Sequence, residues 1–216
     1  MSHDDFEIEP VEGLPELPPE GEKILWQGKP NWWALAVDSL SLKWVMGYFV
    51  FLGAWRSVAL MAERDVLTSI KGAVPFLVLG GIVVLFLTLI AIAQARTAVY
   101  TVTNRRVAMR IGAALNVTYN LPYTWINSAD LALGRGGIGT IALDLKGDTQ
   151  LSYLMLWPHM RPWFMKKPQP ALRCIPDAQK VADLLAEAAQ TQLTATRAKT
   201  AQDGQTPSDL AAMPAE

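Results

Sequence analysis

One cysteine and two histidines in 216 residues leave little room for redox or metal chemistry. Cys174 alone permits neither an intrachain disulfide nor a thiolate metal site. His3 and His159 stand far apart, and no carboxylate spacing completes a histidine-based zinc site. Charge is scarce too: 18% of residues are charged and 51% hydrophobic, where a soluble domain carries roughly a quarter charged residues. That balance points to a membrane. No nucleophile–base–acid set and no paired acidic motif shows, so no enzyme activity is expected. The basic residues are spread too thinly for a nucleic-acid module, so no nucleic-acid partner is expected either.

The little charge present is unevenly placed. Residues 1–22 hold eight acids and no Lys or Arg, among them Pro10, Pro15, Pro18 and Pro19. Without an apolar repeat, residues 1–20 read as a disordered acidic tail. They also lack the basic-then-apolar order of a cleavable signal peptide. Residues 23–190 carry eight more basic than acidic residues. That excess suits an anionic cytoplasmic leaflet, or is ordinary flanking charge on a membrane protein.

Long hydrophobic runs are what the chain has instead. After a short strand-like segment, "GEKILWQGKP", residues 31–43 and the Trp that follows place Trp33, Val37, Leu40 and Trp44 at helical spacing. Residues 21–43 thus read as a strand plus an interfacial helix, with 31–43 alternatively a weak third span. Residues 44–62 are just long enough to cross a bilayer. Arg56 lies within them, and either snorkels to the interface or makes a polar contact within a helix bundle. Residues 73–95 carry no charge, and Gly80 and Gly81 could admit a close helix partner. The expectation is two transmembrane helices, 44–62 and 73–95. Lys29 and Lys43 on one flank, and Arg96, Arg105, Arg106 and Arg110 on the other, outnumber Arg64 and Lys71 between the spans. Both termini are therefore expected in the cytoplasm.

Beyond residue 96 the period changes to that of strands. Leu115, Val117, Tyr119 and Leu121 alternate with polar neighbours, as do Ile141, Leu143 and Leu145. Leu151, Tyr153, Met155 and Trp157 read as a further strand, which makes Trp157 a core residue. Six short strands with tight turns predict an antiparallel barrel or sandwich over 97–190. Pro176 and Asp177 open a helix whose stripe of Val181, Leu184, Leu185 and Ala188 would cap the sheet. Residues 191–216 read as a disordered tail. "GRGGIG", residues 134–139, has the glycine spacing of a dinucleotide loop, but a strand follows it where a helix is required. It reads as a hairpin loop. Asn116 heads a glycosylation sequon inside a strand, without consequence on the cytoplasmic side.

The stretch Leu156–Trp163, "LWPHMRPW", packs two Trp, two Pro, His159 and Arg161 into eight residues. Its prolines break any regular element. Trp163, Phe164 and Met165, then Lys166 and Lys167, form an aromatic-then-basic pattern suited to a membrane surface or a partner. Arg105 and Arg106 in "TNRR" could meet phospholipid headgroups, or serve as a positive flank and turn.

"YTVTNRRV" (Tyr100–Val107), preceded by apolar segments and "GEKILWQGKP", resembles bacterial pleckstrin-homology-like domains fused to transmembrane helices. "TNRRVAMRIG", "NLPYTWINSADL" and "LWPHMRPW" with "PALRCIPDA" together resemble the PuhB family of photosynthetic-complex assembly proteins of purple bacteria, over residues 21–188. The resemblance implies a pleckstrin-homology-like barrel closed by a C-terminal helix, in a multi-pass protein of the bacterial inner (intracytoplasmic) membrane. It implies a non-enzymatic assembly factor whose partners are the photosynthetic reaction-centre and core light-harvesting (LH1) subunits and membrane lipids. It implies no cofactor. His159 offers the ring nitrogen that a bacteriochlorophyll magnesium takes, but it lies outside any span, and a pigment needs a large apolar pocket. A hydrogen-bonding structural role is expected for it instead. The contact candidates are Arg105, Arg106, Trp157, His159, Arg161, Trp163, Lys166 and Lys167. The alternative is a generic membrane-anchored lipid- or protein-binding module. Two spans alone would also suit a homodimer, though no dimer motif compels one.

Overall fold

The computed structural model describes residues 11–112, 116–147 and 151–202. Strand β1 (Ile24–Gly28) is followed by helices α1 (Trp32–Asp38), α2 (Leu42–Leu60), α3 (Val66–Lys71) and α4 (Val74–Thr97). Six strands then follow: β2 (Val99–Thr103), β3 (Arg106–Ile111), β4 (Val117–Pro122), β5 (Ile126–Leu133), β6 (Gly139–Leu145) and β7 (Ala171–Ile175). Helix α5 (Tyr153–Leu156) interrupts the β6–β7 connection, and α6 (Ala178–Gln202) ends the described chain.

The helical part is built on close approach. A Cβ on Gly80 of α4 would stand 2.7 Å from the Cβ of Phe49 on α2, so only glycine lets the two helices pack here. The contact that the glycine pair suggested is thus made within the chain by Gly80, while Gly81 faces open space. Val66–Thr97 forms one helical passage of 32 residues, long and apolar enough to cross a membrane. A second passage qualifies only if α1 and α2, bent by 55° at their break, are counted together. The expectation of two separate spans is corrected accordingly: α2, though 19 residues long, is not apolar enough to count by itself. Most of α4's large apolar side chains, including Leu77, Val78, Leu85 and Phe86, lie exposed.

α1 differs from expectation as well. The helix is only seven residues long, starting where the Asn31 side chain accepts a hydrogen bond from the Ala34 amide at 3.0 Å. Its buried residues are Leu35 and Ala36, which pack with Leu40, Leu42, Ala91 and Ala95. Trp33 and Trp44 of the expected face are exposed instead. Periodicity located the helix, and Leu40 of the expected face is buried with Val37 half-buried, but packing on α4 turns Leu35 and Ala36 inward and leaves Trp33 and Trp44 out.

Ala98 alone joins α4 to β2, so the sheet domain hangs directly from the apolar helix. β1 to β4 form one antiparallel sheet in sequence order, and β5, β6 and β7 a second. Inward residues of both sheets, such as Val102, Met109, Leu121, Ile141, Leu143 and Leu172, share one core with Ala178, Val181, Leu185 and Ala188 of α6. Burying Val181 and Leu185 contributes about 1.5–3 kcal/mol each, enough to hold α6 against the sheets. Between β5 and β6, Gly136 (φ 68°) and Gly137 (φ 77°) take left-handed conformations that turn the hairpin, so "GRGGIG" is a loop between strands.

Three further expectations change. Leu151–Trp157 is not a strand; Tyr153–Leu156 forms a helical turn. Helix α6 runs to Gln202, so residues 191–202 are helical and not part of a disordered tail. Residues 11–14 are docked: Leu14 is buried and Gly13 sits against Val99. The Gln27 side chain there donates to the Glu12 carbonyl at 2.7 Å, and Lys29 pairs with the Glu12 carboxylate. Leu115, residues 1–10 and residues 203–216 lie outside the described residues.

Candidate interaction site

β2 runs away from α4 and returns as β3, so the turn at Asn104–Arg105 lies about five residues, roughly 17 Å, along the strand from the helix end. The Thr103 hydroxyl accepts the amides of Arg105 (3.1 Å) and Arg106 (3.0 Å) and fixes this turn. Arg106 pairs with Glu22 at 2.9 Å and donates to Asn120 at 3.2 Å, and Arg105 donates to the Glu20 carbonyl at 3.3 Å. The arginine pair therefore fastens the chain's own residues 20–22. The structure puts it at the end of β2 remote from α4.

The connection from β6 to β7 behaves differently. The Leu143 amide donates to the Pro170 carbonyl at 2.8 Å, the Ala171 amide to the His159 carbonyl at 3.0 Å, and the Arg161 amide to the Gln169 carbonyl at 3.0 Å. These bonds strap residues 159–161 alongside 169–171. Beneath the strap, His159 is fully buried, and its Nδ1 meets the Tyr100 hydroxyl at 2.6 Å with the rings edge-on at 77°. The same hydroxyl oxygen accepts the Arg173 amide at 3.3 Å, so Tyr100 serves as the donor toward His159. Arg173 donates from Nη1 to the Met160 carbonyl (3.3 Å) and from Nη2 to the Ser39 hydroxyl (2.6 Å) in the α1–α2 break. One buried network thus ties the helical part, β2, β7 and the strap together.

Burial, reinforced by the Arg173 charge, pushes the His159 imidazole down to about 3, so it stays neutral at physiological pH. Burial raises the Tyr100 hydroxyl far above its ordinary value. It also pushes the Cys174 thiol up to about 11, which leaves that sulfur protonated and inert. The His159 Nε2 is buried without a partner among the described residues. With Nδ1 occupied by Tyr100 and Nε2 enclosed, the ring presents no nitrogen at the surface.

The strap carries its apolar side chains outward. Leu154 is 84% exposed and Trp163 87%, and Met155, Trp157, Phe164 and Met165 are exposed beside them. Trp157 is therefore not a core residue: the segment turns as a helix, Leu156 is buried, and Leu151 and Tyr153 pack half-buried against the core while Met155 and Trp157 face out. Trp163 holds φ at 70°, a left-handed conformation costing about 1–2 kcal/mol for a residue of this kind. Ser41, Cys174 and Asp177 take the same left-handed region. Arg161 bridges to Asp130 at 2.7 Å and stacks on Phe164 at 4.5 Å. Lys167 pairs with Asp144 at 3.1 Å. Asn127 first, and then Lys167, hold that carboxyl below the usual range. Lys166 is exposed.

Trp157, His159, Arg161, Trp163, Lys166 and Lys167 thus come together, and Arg105 and Arg106 do not join them. Tyr100, Arg173 and Ser39 escaped sequence reasoning. A signal for Arg173 existed: a lone charge within the apolar run "ALRCI" of a strand buried throughout. Among the described residues no group of three or more His, Cys, Asp or Glu side chains is arranged to hold a metal ion.

Residues 49–189 match the bacterial PH domain family. A Rhodobacter capsulatus protein, described as an uncharacterized 23.7 kDa protein in the puhA 5′ region, is 50% identical over 195 residues. The match covers 89% of this chain and 91% of that one. No solved structure matches. On the extent of the family match, the chain belongs to the bacterial PH domain family.

Proposed function

We propose that this protein is a membrane-anchored, non-enzymatic assembly factor that offers the 153–167 strap to subunits of the photosynthetic reaction centre and core light-harvesting complex. The exposed apolar surface of that strap carries the reading. Leu154, Trp157, Trp163 and Met165 are exposed on either side of residues 159–161, which backbone bonds to Gln169 and Ala171 and the buried His159–Tyr100 contact hold in place. A rigid aromatic surface rimmed by Arg161, Lys166 and Lys167 is chemistry suited to docking apolar partner segments. The relative's description from the puhA 5′ region agrees with the resemblance to photosynthetic-complex assembly proteins.

The uncovered apolar side chains of α4 support anchoring, because a helix that exposes Val78, Leu85 and Phe86 is poorly suited to water. In this reading α4 crosses the inner membrane and the bent pair α1–α2 forms the companion passage. The sheet domain and both termini then face the cytoplasm, in line with the flanking positive charge.

The test is complementation of a deletion strain, read by near-infrared absorption of its membranes under pigment-inducing growth. Loss of reaction-centre and core-antenna bands, restored by the wild-type gene, is the expected result. Trp163→Gly, which removes the exposed ring and relaxes the left-handed backbone, is expected to accumulate normally yet fail to restore the bands. A deletion strain with an unchanged spectrum would refute the assembly role.

A further inference from the structure

The outer face of the β5–β6–β7 sheet carries a groove of about 740 Å³. Register sets Asp130 opposite Ala142, Ala132 opposite Thr140, and Ala142 opposite Ala171. Ala132, Thr140 and Ala142 therefore share this face and give the groove a floor of small side chains. Arg161 and Arg173 stand along it, as do Asp38 and Asp130. These four charges are not equivalent. Asp130 is taken by Arg161 at 2.7 Å, and Asp38 lies exposed at the end of α1.

Arg173 is only 6% exposed, and among the described residues it has no carboxylate within ion-pair distance. Its Nε is buried without a hydrogen-bond partner. A guanidinium out of water and without a counter-ion is costly. The groove that it lines is where a counter-ion could enter. One end of that groove meets the apolar helix: Ile138 and Cys174 line it and pack with Leu35 and with Ala95 in the last turns of α4. Leu133 is exposed on the rim.

From these observations we propose that the groove receives the headgroup of a phospholipid, with its phosphate on Arg173 and its acyl chains along the exposed side of α4. The planar guanidinium matches phosphate oxygens, and the floor of alanine and threonine leaves room for the group. Asp38 is adjacent to Ser39, whose hydroxyl holds Arg173 at 2.6 Å. A carboxylate so placed at the rim favours a headgroup with an amine beside its phosphate. Phosphatidylethanolamine is thus preferred to phosphatidylglycerol. The proposal rests on the membrane placement argued above.

The experiment is native mass spectrometry of the full-length protein released from a phosphate-free detergent, with each lipid added in turn. Melting in inorganic phosphate runs in parallel. A phosphatidylethanolamine adduct is expected, weakened about ten-fold by Ala132→Phe, an exposed floor position outside the Arg173 network, with an unchanged melting temperature. Asp38→Asn should erase the preference between the two lipids. Equal adducts in wild type and Ala132→Phe, or stabilisation by inorganic phosphate with no lipid adduct, would overturn the proposal. A preference for phosphatidylglycerol would overturn the role given to Asp38. Absence of the protein from the membrane fraction would instead sink the membrane reading on which it stands.

Discussion

Acid should loosen this protein well above the pH at which carboxylates titrate, and His159 should be the cause. Burial holds its imidazole down to about 3 in the folded chain, against about 6.5 when exposed. The unfolded chain therefore binds a proton that the folded chain refuses. Stability from this residue is fully present above pH 6.5 and is lost as pH falls toward 3, at about 1.4 kcal/mol per pH unit. Between pH 7 and pH 5 the loss amounts to about 2 kcal/mol, or roughly 4–8 °C in Tm for a chain of this size. Asp144, the described carboxylate whose value is lowered at the strap, loses its contribution only further into acid. The assay is tryptophan-fluorescence melting of the detergent-solubilised protein at pH 7 and pH 5. His159→Gln keeps an acceptor for the Tyr100 hydroxyl but cannot titrate, and should flatten the difference over that interval. If His159→Gln shows the same acid loss as wild type, the burial argument is wrong.

Two other outcomes follow from the same geometry. Tyr100→Phe removes one hydroxyl but strands both the Arg173 amide and the His159 Nδ1. It should cost about 2–4 kcal/mol, measured as a shift of the urea midpoint, and a loss below about 1 kcal/mol would mean that water replaces the hydroxyl. Gly80→Leu must push Phe49 away, since even a Cβ would lie 2.7 Å from it. It should separate α2 from α4, read as lost crosslinking between cysteines placed on the two helices, while Gly81→Leu should be tolerated.

Much of the sheet domain was legible because its signals are local. Alternation marked β4 and β6, the glycines 134–139 marked the hairpin between β5 and β6, and the stripe of Val181, Leu184, Leu185 and Ala188 marked the face of α6 that closes the core. The segment after β6 deceived for an equally local reason. Leu151, Tyr153, Met155 and Trp157 alternate like a strand, yet no free strand edge takes them up, and the chain coils into a single turn before Pro158. Residues 11–14 looked disordered by composition, but Leu14 is buried and Gly13 lies against Val99. Of the contact candidates, those of the strap stayed together because they are neighbours in sequence. Arg105 and Arg106 parted from them because β2 carries its turn away from α4.

Composition by itself determined that this chain is rich in apolar helix and poor in redox and metal-binding groups, and periodicity determined that a strand-rich unit closed by a helix follows. Those properties depend on residues close in sequence, where spacing and turn chemistry act directly. Only the tertiary structure decided that Ser39, Tyr100, His159 and Arg173, scattered over more than 130 positions, form one buried network. It alone decided which face of α1 is buried and that Trp163 points outward. Those outcomes depend on which surfaces meet in space, and a buried arginine or histidine is tolerated only where distant parts of the chain bring it partners.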